Sequence, residues 1–246
     1  MFEFAENIFV EESAVRFYGF AIQTRMAVVR LSQDRLFLYS PVFLDAALLS
    51  SLEQLGRVAY IVSPNKIHNQ ALAQYAVAYP KATFFAPPGL PERKPELKFQ
   101  RVLTDTPDLE WRNELDRVLT KGNIFFSEAL FFHRKSRTLL VGDFVENINR
   151  DTVSKLAFLL ARPFGVAYRP TASPEFKLYT HNAVEAEQSL LPAREWDFER
   201  IFLCHGGLIE KNAKAVFDRV CDELLDIARK RNPLSTWLTS KLASIA

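Results

Sequence analysis

No run of about 18 consecutive apolar residues occurs in this 246-residue chain, so the sequence predicts no membrane-spanning helix. The first dozen residues are acidic and lack the basic segment of a secretory signal, which excludes that reading of the start. Charge of either sign is not in excess. The net value is +2, and no basic run is dense enough to suggest a nucleic-acid partner. Cysteine is scarce: Cys204 and Cys221 alone cannot form a disulfide framework, and cytoplasmic residence is the default expectation. No internal repeat, low-complexity tract or linker divides the chain, so a single domain over residues 1–246 is expected.

What is present is an ordinary globular composition, 48% hydrophobic and 24% charged, with 21 phenylalanines read as core filling. Residues 5–31 are β-rich, and Arg35 to Ser40 reads as a strand. Asp45 to Leu55 reads as a helix stopped by Gly56. Val58 to Val62 reads as a buried strand, followed by a turn through Pro64 and Asn65 and then by His68, placed at the opening of a helix. Ala82 to Ala86 and Lys98 to Leu103 read as further strands. Ile124 to His133 and Thr138 to Asp143 form the clearest hairpin. Its turn fixes a register in which paired positions sum to 271, which puts Glu128 opposite Asp143 and leaves His133 at the far end. Thr152 to Ala161 reads as a helix, residues 162–182 as an irregular insertion, and Arg200 to Cys204 as a strand. Lys211 to Lys230 carries an apolar stripe at helical spacing that includes Cys221, and residues 211–246 form a helical tail.

Three strands end in a metal-type ligand followed by a turn: His68, Asp143 and His205. Two imidazoles and a carboxylate suit one divalent ion, zinc or iron. Glu128, across the ladder from Asp143, is a fourth group that can act as ligand, supporting partner or general base. Arg25, Lys66, Arg134 and Arg137 suggest anionic ligands or, more blandly, solvated strand ends. His133 is read as capping its hairpin turn, and His181 has no assigned role.

The order of these features resembles the metallo-β-lactamase superfamily. The motif carriers are the turn ending in His68, the hairpin running from Leu139 to Asp143, and the stretch from Ile201 to His205 and Gly206. A closer resemblance is to an uncharacterised branch, a domain of unknown function, through Thr24 to Met26, Pro64 to His68, Ala86 to Gly89 and Glu128 to Leu139. The resemblance implies an α+β (α/β) fold: a four-layer αββα sandwich with a metal site along one edge of its two sheets. It also implies four ligand positions at Ser63, Asn65, Ile67 and His68, of which only the last retains a ligand. A further family histidine falls near Asn123 or Ile124. The residues therefore support at most a mononuclear site.

Two functions follow. In one, a metal at His68, Asp143 and His205 lowers the pKa of a water toward about 7 for attack on an ester or phosphoester. Glu128 then serves as base or ligand, Asn65 holds the substrate oxygen, and the substrate is an unidentified small molecule. In the other, the chain binds no metal and its cleft is a non-catalytic ligand- or protein-binding surface.

Overall fold

The computed structural model describes residues 1–17, 20–106, 110–148 and 169–231. The expected helix over Thr152 to Ala161, the first part of the 162–182 insertion and the end of the tail lie outside these residues.

The first half forms a seven-stranded sheet ordered β1 to β7 in sequence: Phe2–Ala5, Ile8–Phe17, Phe20–Leu31, Arg35–Tyr39, Arg57–Val62, Thr83–Ala86 and Arg101–Val102. Its first four strands are antiparallel, and β4 to β7 pair in parallel. Parallel neighbours need crossovers. These carry α1 (Ala46–Leu55), α2 (Leu72–Ala78) and α3 (Leu90–Arg93). Asp45 caps α1 by accepting from the Leu48 N–H, and Gly56 ends it as expected. A Cβ at Gly56 would lie 2.4 Å from the Asp34 carbonyl, so only glycine fits.

The second sheet is ordered β11–β10–β9–β8, from Arg200–Leu203, Thr138–Val141, Ala129–His133 and Leu115–Leu119. The hairpin register is the one expected: Thr138 faces His133, and Leu140 faces Phe131. The strand before it is shorter than expected, because Asn123 Oδ1 accepts from the N–H groups of Phe125 and Phe126 and holds residues 123–126 in a turn. Beyond β10, α4 (Pro174–Tyr179) interrupts the stretch read as irregular, with Ser173 as its cap. Next come α5 (Ala183–Glu195) and α6 (Ala213–Arg229). Sequence reading passed over α5 although Asn182 caps it by accepting from Glu185, an N-terminal signature.

Alternation along the strands sorts the core into three layers. Phe37, Tyr39, Val62 and Phe85 of the first sheet meet Phe131, Leu140 and Phe202 of the second. Trp111 joins them edge-on to Phe37 and Tyr60. Fully buried rings of this kind each contribute on the order of 2–3 kcal/mol. The opposite-facing residues Val28, Leu38 and Ile61 pack on Leu48, Leu52 and Tyr75 of α1 and α2. On the far side, Leu130, Leu139, Val141 and Leu203 pack on Leu190, Phe217 and Leu224 of α5 and α6. The result is helix, sheet, sheet, helix. Among the described residues no helix is long and apolar enough to cross a membrane.

Candidate metal centre

The ends of β5, β10 and β11 bring His68, Asp143 and His205 together. Ligand atoms of the three lie within 4.8 Å of one another. His68 Nε2 is 3.2 and 3.1 Å from the Asp143 oxygens, and His205 Nε2 is 3.3 Å from Oδ1. The two imidazole rings are 5.2 Å apart.

His68 does not open a helix. The chain after β5 makes a hydrogen-bonded turn, and α2 begins only at Leu72. Ser63 Oγ bonds the carbonyls of Asn65 and His68, and Asn65 Oδ1 accepts from the Ile67 N–H. These polar side chains satisfy the backbone locally and hold it out of helix. Ser40 Oγ meets the Nδ1 of His68 at 2.8 Å.

His205 follows β11, which lies parallel to β10. Its Nδ1 is 2.9 Å from the Gln23 carbonyl. A carbonyl only accepts, so Nδ1 carries the proton and Nε2 keeps its lone pair when the ring is neutral. Arg25 braces this turn: its buried guanidinium donates to the Gly206 carbonyl, to Glu12 at 2.7 Å and to Gln23 Oε1 at 3.2 Å. Sequence reading quoted Thr24 to Met26 as a motif without seeing this role. It missed Ser40 and the Gln23 carbonyl, neither of which carries a spacing signal.

Glu128 and Asn65, expected as catalytic groups, are both fully buried. The Glu128 carboxylate accepts from the N–H groups of Gly142, Asp143 and Phe144 at 2.9, 2.7 and 3.0 Å. Its fourth donor is Asn65 Nδ2 at 2.9 Å, which also donates to Asp143 Oδ2 at 2.8 Å. The register did bring Glu128 beside Asp143, but the ladder stops short of them and the turn folds over the Glu128 carboxylate. The amide of Asn65 sits where two carboxylates would otherwise repel. Gly142 is required by the same closeness, since a Cβ there would meet Glu128 Oε2 at 2.9 Å.

Charge states follow from these contacts. Burial, and then the charge of Asp143, push the Glu128 carboxyl up to about 7 against the pull of its four donors. Burial alone would raise Asp143 too, but the two imidazoles hold it well below the usual carboxylate range. Burial opposes a charge on His205, yet its bond to Asp143 and that carboxylate's charge raise it to about 9.

The other candidates disperse. Arg134 pairs with Asp116, and Arg137 with Asp197 and Glu199. Lys66 Nζ lies 4.3 Å from the centre of the Phe125 ring. Asn123, near the expected family histidine, is engaged in its own turn. His133 sits in the hairpin turn, bonded to Ser136 Oγ at 2.7 Å, at the end of β10 away from Asp143.

A family model described as a domain of unknown function (DUF4336) matches residues 5–188. Among solved structures, the DIM-1 metallo-β-lactamase is 14% identical and superposes with a TM-score of 0.62, covering 93% of this chain and 95% of that one. A metallo-β-lactamase from Erythrobacter litoralis is 14% identical, with a TM-score of 0.58 and coverage of 93% and 91%. The metal-soaked Flv1 flavodiiron core from Synechocystis sp. PCC6803 is 12% identical, with a TM-score of 0.61 and coverage of 90% and 59%. At such identities the likeness establishes the metallo-β-lactamase fold and nothing finer. No curated protein matches the chain in sequence.

Proposed function

The chain therefore belongs to the DUF4336 family, and we propose that it holds one divalent metal, zinc or iron, on His68, Asp143 and His205 and acts on a small-molecule substrate as a hydrolase. The observation that carries this is the convergence of three ligand atoms within 4.8 Å, with the Nδ1 of each imidazole held by Ser40 or Gln23. That donor set fits a divalent ion bound through nitrogen and oxygen, and the bonds at the remote nitrogens are the usual means of aiming such ligands. The ion supplies Lewis acidity toward water and toward a carbonyl or phosphoryl oxygen.

The chain's own residues do the rest. His205 offers Nε2 because its Nδ1–H is donated to the Gln23 carbonyl. Asp143 keeps its charge because two imidazoles face it. Asn65 donates to one of its oxygens and so orients the carboxylate toward the two imidazoles. Glu128 and Asn65 are positioning residues in this reading: they fix the turn that presents Asp143 and do not reach a substrate. Residence in the cytoplasm accords with two buried free cysteines.

A second reading, a non-catalytic ligand- or protein-binding descendant of the fold, is favoured by one observation. Ser63 and Asn65 occupy two ligand positions of the resembled motif, and both spend their polar atoms on the protein itself. Metal analysis of protein purified without chelator separates the two readings. About one equivalent of zinc or iron, lost in Asp143→Asn, supports the first. Metal-free protein that takes up no zinc on titration sinks it.

A further inference from the structure

The Nδ1 of His68 leads to a further buried group. Ser40 Oγ meets that nitrogen at 2.8 Å, and the same hydroxyl is bonded to the thiol of Cys204. Contacts therefore run in a line from Asp143 through His68 and Ser40 to Cys204. Ser40 and Cys204 are both buried. Cys204 follows β11 and packs between the sheets with Tyr39, Val62 and Phe202. The Tyr39 hydroxyl donates to the Ala129 carbonyl, so it is committed elsewhere.

Hydrogen atoms along this line are few enough to count. A neutral imidazole has one N–H, a hydroxyl has one O–H, and a carboxylate only accepts. With the ring proton on Nε2, aimed at Asp143 3.1 Å away, Nδ1 must accept and Ser40 must donate to it. That tautomer has no lone pair at Nε2 for an ion. With the ring proton on Nδ1, Ser40 must accept from His68, and its own proton needs another acceptor. Among the described residues, Cys204 is the one group bonded to that hydroxyl besides His68.

Two observations fit a sulfur that takes this proton. Burial pushes the Cys204 thiol well above its usual pKa, so the group stays neutral with lone pairs on sulfur. The bond to Ser40 pulls the other way, as a hydroxyl that donates to sulfur does. Ser40 is also held at a left-handed φ of 59°, a region that is costly for a residue with a side chain and open to glycine. A glycine at position 40 would leave His68 Nδ1 without its hydroxyl.

We propose, resting on the metal-binding reading of this site, that Cys204 is a positioning residue: its sulfur accepts the Ser40 hydroxyl proton, so that Ser40 accepts from His68 Nδ1 and His68 Nε2 is left bare for the ion. The thiol itself touches neither ion nor substrate. Packing between the sheets asks only for a small apolar side chain at position 204. The line of hydrogen bonds asks for an acceptor there, which sulfur or a hydroxyl oxygen supplies and a methyl group does not.

The experiment is a double-mutant cycle on zinc affinity, read by chelator competition on the full chain as wild type, Cys204→Ala, Ser40→Ala and the double variant. Cys204→Ala should bind zinc about two- to tenfold more weakly, the loss of one modest hydrogen bond. Cys204→Ser should restore wild-type affinity. In the Ser40→Ala background, Cys204→Ala should change nothing further, because the acceptor then has no hydroxyl to serve. A packing role would give the same loss in both backgrounds and no rescue by serine. Cys204→Val, which leaves no cavity, should match Cys204→Ala and replaces it in the cycle should that variant misfold. Additive losses, no rescue by serine, or wild-type affinity in Cys204→Ala and Cys204→Val would each overturn the proposal while leaving the metal site standing. Wild-type protein that takes up no zinc would overturn the metal-binding reading and the role of Cys204 with it.

Discussion

Asn65 Nδ2 donates at once to Asp143 Oδ2 and to Glu128 Oε2, at 2.8 and 2.9 Å, and so bridges two buried carboxylates. Removing the amide leaves those carboxylates facing each other without a donor between them. Asn65→Ala is expected to cost about 2–4 kcal/mol, the range for stranding buried polar and charged groups. Asn65→Asp should cost more, since it adds a third carboxylate. Urea denaturation at pH 7 measures both, and a change under about 0.5 kcal/mol in either would remove the bridge from the account.

Glu128→Gln replaces an acceptor with a group that carries its own N–H bonds, opposite three backbone N–H donors. The turn holding Asp143 must then shift. Zinc affinity is expected to fall about 10- to 100-fold, as when a ligand loses its supporting partner. Chelator competition reads this directly, and wild-type affinity in a folded Glu128→Gln protein would show that Glu128 does not position the ligand.

Metal uptake should depend on pH through His205. In the metal-free protein its pKa is raised to about 9, so near neutrality a proton occupies the nitrogen that the ion needs. Apparent zinc affinity should therefore tighten by about tenfold per pH unit between roughly 7 and 8.5. Calorimetry in buffers of different ionisation heat should find protons released on binding. The same affinity at both ends of that range would exclude His205 as a ligand.

His133 gives a pH effect on stability of definite sign. Burial depresses its folded pKa to about 4, while the unfolded ring titrates near 6.5. Between those values the unfolded chain takes up a proton that the folded chain refuses. Its contribution is full above about 6.5 and is lost as pH falls toward 4, by about 2–3 kcal/mol at pH 4.5. The stability gap between wild type and His133→Gln, measured by denaturation at pH 7 and again at pH 4.5, should narrow by that amount. A gap that stays constant would mean the ring titrates normally.

The parts of the fold that were legible in sequence are those set by local rules. The 271 register followed from the turn after His133, and the Gly56 stop from the helix before it. The convergence of His68, Asp143 and His205 was legible because each follows the end of a strand. What stayed hidden depends on contacts made across the chain. Glu128 was placed beside Asp143 correctly, but its role turns on how the 142–144 backbone wraps it. His68 was put on a helix because the 3.6-residue spacing downstream looked continuous, while Ser63 and Asn65 tie down a turn before it. Ser40, just past β4, and Gln23, in β3, act on the histidines from places with no ligand motif of their own.

His68 rises from the seven-stranded sheet, whereas Asp143 and His205 rise from the four-stranded one. An ion held by all three would act as a clasp across the seam between two halves that are otherwise joined by apolar packing and a few polar contacts. Prying the sheets apart would then mean breaking coordination bonds as well as exposing phenylalanine. Loading the site would lock the halves together late, once the strand carrying His205 has docked. A chelator would accordingly leave the apolar seam to hold the two halves alone.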